Sequence, residues 1–235
     1  MPKKTFQNLP LKKRKRIEAV AIDEFAERSF TSASISAIVA KAGIAKGSFY
    51  QYFEGKEDLY LHIVKLSNQE KGALVREVGL PGNPMDTFGY LRWMLQVGFL
   101  FELRFPKLAK ITYQAFVEDL PFLKDEQGNP KGGGTFYFND VLSQGIVHED
   151  VAPWVDTNMA SYIIASIYHH FGPYLLRRLN LTPEDFGKGR LDIFEDQLVQ
   201  DLFDNLLDIL SAGIARDPEI RNHFFSKTNI TKQGN

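Results

Sequence analysis

An all-α fold in two parts is what the 235-residue sequence predicts, and three observations carry that prediction. Apolar residues recur at helical spacings of three and four, and no alternating run is long enough for a useful strand. A glycine at position 43 divides two short helical segments near the start. Charge is uneven: of the 28 Lys and Arg, 13 lie in residues 1–71, against only 8 of the 29 Asp and Glu. The basic first part, 1–71, reads as an N-terminal helix-turn-helix domain. The acidic remainder, 72–235, reads as a larger helical bundle. A basic module on an acidic body points to an anionic partner, and nucleic acid is the natural one.

Residues 1–10 read as a disordered tail. The run Lys12, Lys13, Arg14, Lys15, Arg16 opens the first helix, whose inward stripe is Ile17, Val20, Ala21 and Phe25. Such a run is a solvated helix end, a localisation signal or a phosphate-facing patch; ahead of a helix-turn-helix the last reading gains weight. Phe30 closes this helix onto the next. Ser34 is a suitable N-cap, Ile35, Ile38, Val39 and Ala42 form an inner face, and Gly43 takes the left-handed stop. A second short helix over Ala45–Tyr52 turns Phe49 and Phe53 inward and leaves Lys46, Ser48, Tyr50 and Tyr52 outside. A further helix begins near Lys56, carries Leu59, Ile63 and Leu66 inward, and fades beyond Lys71. Gly79 to Pro84 is a clear break, so the domain boundary is expected between Gly72 and Pro84.

Ser34, Ile38, Gly43, Ile44, Gly47, Phe49, Tyr50, Phe53, Lys56 and Leu59 stand at the fixed offsets of a known signature. In these ten positions the sequence resembles the DNA-binding segment of TetR-family transcriptional regulators, and with its flanking helices the resemblance spans about residues 12 to 68. It implies that Ser34, Ala45, Lys46, Gly47, Ser48, Tyr50, Gln51, Tyr52 and Lys56 face DNA. Physically, Lys46 and Lys56 supply charges for phosphate, Gly47 lets the backbone come close, and Gln51 suits an adenine edge. Tyr50 and Tyr52 offer hydroxyls to phosphate, although Tyr50 equally suits a half-core position. Ala45 departs from the polar residue often found there.

Beyond the break, the helical pattern turns aromatic, with Phe88, Trp93, Phe99, Phe101 and Phe105 before a further helix from about Pro106. Asp119–Thr135, with three consecutive glycines, reads as a flexible connection, because no Gly-Lys-Ser/Thr follows to make a phosphate loop. A helix from about Phe136 ends at Gly145. The next, from Trp154 to about Phe171, is broken by Gly172-Pro173, and a short helix is expected at Thr182-Pro183-Glu184. The last long helix covers about Asp192 to Ala215, ahead of a frayed tail over 217–235. Its apolar face is too broad for one neighbour.

The aromatic and polar residues Phe88, Trp93, Phe101, Tyr113, Phe116, Tyr162, Tyr168 and His169 are candidates for a ligand box, or for plain core. The resemblance favours the box, because such regulators house an apolar effector pocket in this part. His169 and His170 are adjacent on a helix and cannot clamp one metal together; neither a metal nor a cofactor is implied. His148-Glu149-Asp150 lacks metalloprotease spacing, and no nucleophile elbow is present, so a non-enzyme is expected. With no cysteine, no apolar leader and no apolar run of the roughly 20 residues that a membrane span needs, the chain reads as soluble and cytoplasmic.

The functional expectation is a homodimeric repressor. It joins through the helices of about 154–171 and 192–215, binds a palindromic operator in double-stranded DNA, and is released by a small, largely apolar or aromatic effector. The helix from Lys56 would carry the motion. Two alternatives stand beside it: a DNA-binding regulator without an effector, and an all-α enzyme or carrier that keeps the helix-turn-helix as scaffold.

Overall fold

The computed structural model describes residues 2–79, 86–124, 137–182 and 192–214, and among these the chain is helical with no strand. In chain order the helices are α1 (Lys4–Gln7), α2 (Leu11–Glu27), α3 (Ile35–Ala42), α4 (Lys46–Tyr52) and α5 (Lys56–Val78). After them come α6 (Thr87–Arg104), α7 (Pro106–Glu118), α8 (Tyr137–Val147), α9 (Thr157–Arg178) and α10 (Gln197–Ile214). Most of the expected connection at 119–135, the expected helix at 182–184 beyond Thr182, and the tail at 217–235 lie outside the described residues. Among the described residues no helix is long and apolar enough to cross a membrane.

The helix-turn-helix forms where its caps and inner faces predict. The Ser34 hydroxyl accepts from the Ala37 amide, and Gly43 sits at φ +64° and ψ +41°. Its amide and that of Ile44 donate to the Ala40 and Val39 carbonyls, which satisfies the end of α3. Glu24, buried in α2, ties the unit together. Its carboxylate accepts from the Ser34 amide at 3.1 Å and from Lys41 at 3.4 Å, while Arg28 lies 3.6 Å away. A buried carboxylate is tolerable only with such partners.

Three expectations are corrected here. Of the expected tail at 1–10, residues 2–10 are not loose: Phe6 is buried against Phe53 and Tyr52, with ring centroids 4.7 and 6.0 Å away. The helix from Lys56 does not fade at Lys71 but continues to Val78, where Gly79 stops it at φ +84°. The break expected at Gly172-Pro173 is absent, since α9 runs through both. Pro173 withdraws one amide from the helix ladder, but Gly172 has no Cβ to hold off α6. A Cβ there would come within 1.8 Å of Glu102 Oε2, so packing against α6 keeps the helix whole.

Among the described residues, three apolar cores hold the fold. The first runs without interruption from Phe6 through α2–α5 into α6, α7 and Leu123. The second joins α6, α9 and α10, and the third joins α6, α8 and α9. The helix-turn-helix and the bundle therefore share a core. Tyr60 donates to the Ile111 carbonyl at 3.3 Å, the Phe30 amide donates to Glu118 at 3.2 Å, and Lys107 pairs with Asp23 at 2.6 Å.

Candidate nucleic-acid interface and ligand cavity

Helix α4 divides cleanly into two faces. Phe49, Tyr52 and, just beyond the helix, Phe53 are buried, whereas Ala45, Lys46, Gly47, Tyr50 and Gln51 are exposed and Ser48 is half-exposed. A Cβ added at Gly47 would meet nothing within 4 Å, so that side of α4 is open to a close approach. The Tyr50 ring stands edge-on to Phe49 at 5.2 Å and remains 45% exposed, which supports its hydroxyl outside a partly packed ring.

Three expected DNA-facing residues are engaged within the fold. Tyr52 is only 7% exposed and packs on Phe6, because the N-terminal segment covers the side of α4 on which it stands. Lys56 spends its ammonium inside the protein, donating to the Thr31 and Ala33 carbonyls at 3.1 Å each and lying 4.6 Å from the Phe30 ring centroid. It ties the start of α5 to the loop before α3. Ser34 likewise uses both its hydroxyl and its amide within the fold.

The sequence reading missed the residues that hold α4 from behind. The Lys3 amide donates to the Tyr52 carbonyl at 2.9 Å, Lys3 Nζ donates to the Tyr50 carbonyl at 2.9 Å, and Thr5 Oγ1 donates to the Gln51 carbonyl. These are the carbonyls that a helix end leaves without partners. Phe6, an apolar residue alone in a polar stretch, was the available signal.

A cavity of about 400 Å³ opens between α5, α6, α7 and α9. Phe101, Tyr113, Tyr168 and His169 of the expected ligand box line it, together with Lys71, Glu102, Lys110 and Arg177, which were not foreseen. The other four expected residues do not reach it. Phe88 and Phe116 pack against the third core, Trp93 against the first, and Tyr162, 65% exposed, faces outward from α9. Phe116, three residues after Tyr113, and Tyr162, seven before His169, share their helix faces with lining residues but stand one or two turns further along α7 and α9. Lys71 was legible in hindsight: in α5 it stands four residues after buried Ser67 and three before buried Leu74, on the inward stripe. Glu102 likewise follows buried Phe99 by three and Leu95 by seven.

The polar groups of this wall are strongly perturbed. Burial pushes the Glu102 carboxyl up to about 7, against the pull of Arg177. Burial, then the charges of Lys71 and His170, push the His169 imidazole down to about 4. The two histidines do diverge, as their adjacency requires. His170 Nδ1 donates to the Ser166 carbonyl at 2.6 Å, leaving Nε2 to accept from the Tyr113 hydroxyl at 3.1 Å. His169 instead lies on the Phe116 ring, with centroids 4.7 Å apart.

A family model of bacterial regulatory proteins of the tetR family matches residues 17–63, the stretch from α2 into α5. A TetR family transcriptional regulator from Chloroflexus aurantiacus J-10-FL shares 35% identity, covers 92% of this chain and all of that one, and superposes with a TM-score of 0.74. The chain belongs to the TetR family of transcriptional regulators. Two curated regulators match this family member over shorter spans. The AcrR regulator of Shigella flexneri is 28% identical over 120 residues, and the YdgC regulator of Bacillus subtilis is 43% identical over 51 residues. These alignments cover 56% and 26% of those proteins' lengths, less than two thirds of either. The FadR regulator of Bacillus subtilis, solved with stearoyl-CoA, shares the fold at 17% identity and a TM-score of 0.55, covering 85% of this chain and 98% of that one.

Proposed function

We propose that the chain is a cytoplasmic repressor that binds a palindromic operator as a homodimer and releases it when a small molecule occupies the cavity. The single observation that carries the DNA reading is the split of α4. A rigid apolar back supports an exposed front of Lys46, Gly47, Ser48, Tyr50 and Gln51. Ala45 at the N-cap and the exposed Lys12, Lys13, Lys15 and Arg16 of α2 extend it. One such helix covers too little of a duplex for tight specific binding, and two copies on successive major grooves answer that need.

The dimer reading rests on exposed apolar side chains of α9 and α10. Met159, Tyr162 and Ile163 form a stripe on α9, with Leu198 and Ile209 on α10. A shallow apolar groove lined by Trp154, Met159, Ile163 and Leu210 joins the two helices. Surfaces of this kind are characteristic of protein contacts. The effector reading rests on the cavity and on α7, which contributes Tyr113 to its wall and Ile111 and Glu118 to the helix-turn-helix. Both α5 and α7 span from the cavity to the reading end, so a ligand that prefers one arrangement of them shifts the other. The domain boundary is accordingly assigned near the C-terminal end of α5, with 1–71 as the reading part.

The test is the salt dependence of binding to operator DNA from the chain's own upstream region. Lys46→Ala should weaken binding and reduce the log–log slope by roughly one for each phosphate that this lysine neutralises. An unchanged slope would remove Lys46 from the interface.

A further inference from the structure

The polar groups of the cavity wall are mostly engaged within the protein; the solvent-exposed Lys110 and the half-buried Lys71 are the exceptions among the described residues. Tyr113 donates to His170, Thr112 Oγ1 donates to the Leu108 and Ala109 carbonyls, and Glu102 lies in the field of Arg177. Lys71 is different. Its Nζ lies 5.1 Å from the ring centroids of both Phe101 and Tyr168, half-buried, and among the described residues it forms no ion pair with a carboxylate. Aromatic faces attract a cation without neutralising it, so a partly desolvated ammonium held this way still lacks a counter-ion. His169, which feels the charge of Lys71, is held neutral and adds no second positive charge.

We propose that the cavity takes a monoanionic organic acid, with its carboxylate on Lys71 Nζ and its apolar body against Phe101, Tyr113 and Tyr168. This rests on the reading of the cavity as the effector site and sharpens it, since a wholly apolar molecule would leave Lys71 uncompensated. A volume of about 400 Å³ suits a compact molecule, near the lower end of the roughly 300–1,000 Å³ of small-molecule sites. Lys110 is exposed to solvent, whereas Lys71 is the half-buried ammonium of the wall, so the partly desolvated part of the site matches a single negative charge better than a phosphate dianion. Arg177, also on the wall, already has the Glu102 carboxyl in its field.

The experiment is calorimetry of the full chain with hexanoate, decanoate, palmitate and phenylbutyrate, each paired with the primary alcohol of the same skeleton. At least one acid should bind about tenfold or more tightly than its alcohol, a difference of roughly 1.4 kcal/mol. Lys71→Gln should erase that preference, and Lys71→Arg should retain most of it. Alcohols that bind as well as their acids, a preference unchanged in Lys71→Gln, or no binding by any acid would each overturn the proposal. The same titrations repeated on the DNA-bound protein separate the two readings. Lys71-dependent acid binding that leaves DNA affinity unchanged would uphold the acid site and overturn its role as the effector site. Binding of alcohols that releases DNA would do the reverse.

Discussion

The two ends of the molecule are built on opposite principles. At the reading end, the side chains behind α4 are sealed: Phe49 and Phe53 have no exposure, and Phe6 closes them from the far side. At the cavity end, rings of the same kind stand around open volume, and charged groups enter the wall beside them. A surface that must present a fixed pattern to a rigid duplex gains from a close-packed back. A site whose occupancy has to change the protein needs unfilled space and groups whose energy a ligand can alter. Both ends share one continuous core through α5, α6 and α7.

The largest expected effect tests whether sealed and open packing differ in energy. Phe49→Ala removes a fully buried ring from the reading end and should cost about 3–5 kcal/mol in urea unfolding. Tyr113→Ala, on the cavity wall, should cost about 1 kcal/mol, nearer an ordinary substitution. Equal costs would mean that the cavity wall is packed as firmly as the reading end.

A backbone prediction of intermediate size sharpens the same contrast. Gly43 holds φ +64°, with Arg16 Nη2 3.2 Å from where a Cβ would stand. Gly43→Ala should therefore lose about 1–2 kcal/mol from the left-handed strain alone, read as a lower urea midpoint. Ligand affinity in the cavity should be unchanged. A stability loss near zero would show that the turn can relax away from the left-handed region.

These effects also mark what the sequence made legible. Ser34, Gly43 and the alternation of Phe49 with Lys46 and Tyr50 speak through local rules of capping, turn geometry and helical spacing. Each can be read from a few neighbouring residues. The fate of Tyr52 could not be read that way, because it depends on Phe6, distant in sequence, folding back over α4. By sequence Lys56 suits a phosphate, but carbonyls of a loop more than twenty residues earlier claim its ammonium. In the bundle, spacing gave the helices but not which aromatic stripe met a void. Phe88 and Trp93 share α6 with Phe101 but lie roughly 20 and 12 Å before it along the axis, where α8 and the first core rather than the cavity meet them. Lys71 and Glu102 were the stronger signals, since a charge on an inward stripe needs a reason.

In the unmodified chain the smallest expected effect comes from two groups in the cavity wall whose pH responses oppose each other. Glu102, at about 7 in the folded chain against an ordinary 4.5, holds its proton more tightly when folded. Its contribution is therefore fully present below about pH 4.5 and is lost as pH rises through 7. His169, at about 4 against an ordinary 6.5, contributes stability that is present above pH 6.5 and lost as pH falls through 4. Between pH 4.5 and 6.5 the two slopes have opposite signs, so their joint effect on the melting temperature nearly cancels. Glu102→Gln removes one slope and should make the melting temperature climb more steeply with pH across that window. His169→Gln should make it fall. Arg177 facing Glu102, and Lys71 and His170 facing His169, remain in both variants, so each profile isolates one group. A Glu102→Gln profile parallel to that of the unmodified chain would mean that this carboxyl is solvated like a surface acid. The cavity would then be wetter, and closer in character to the outer face of α4, than its enclosed walls imply.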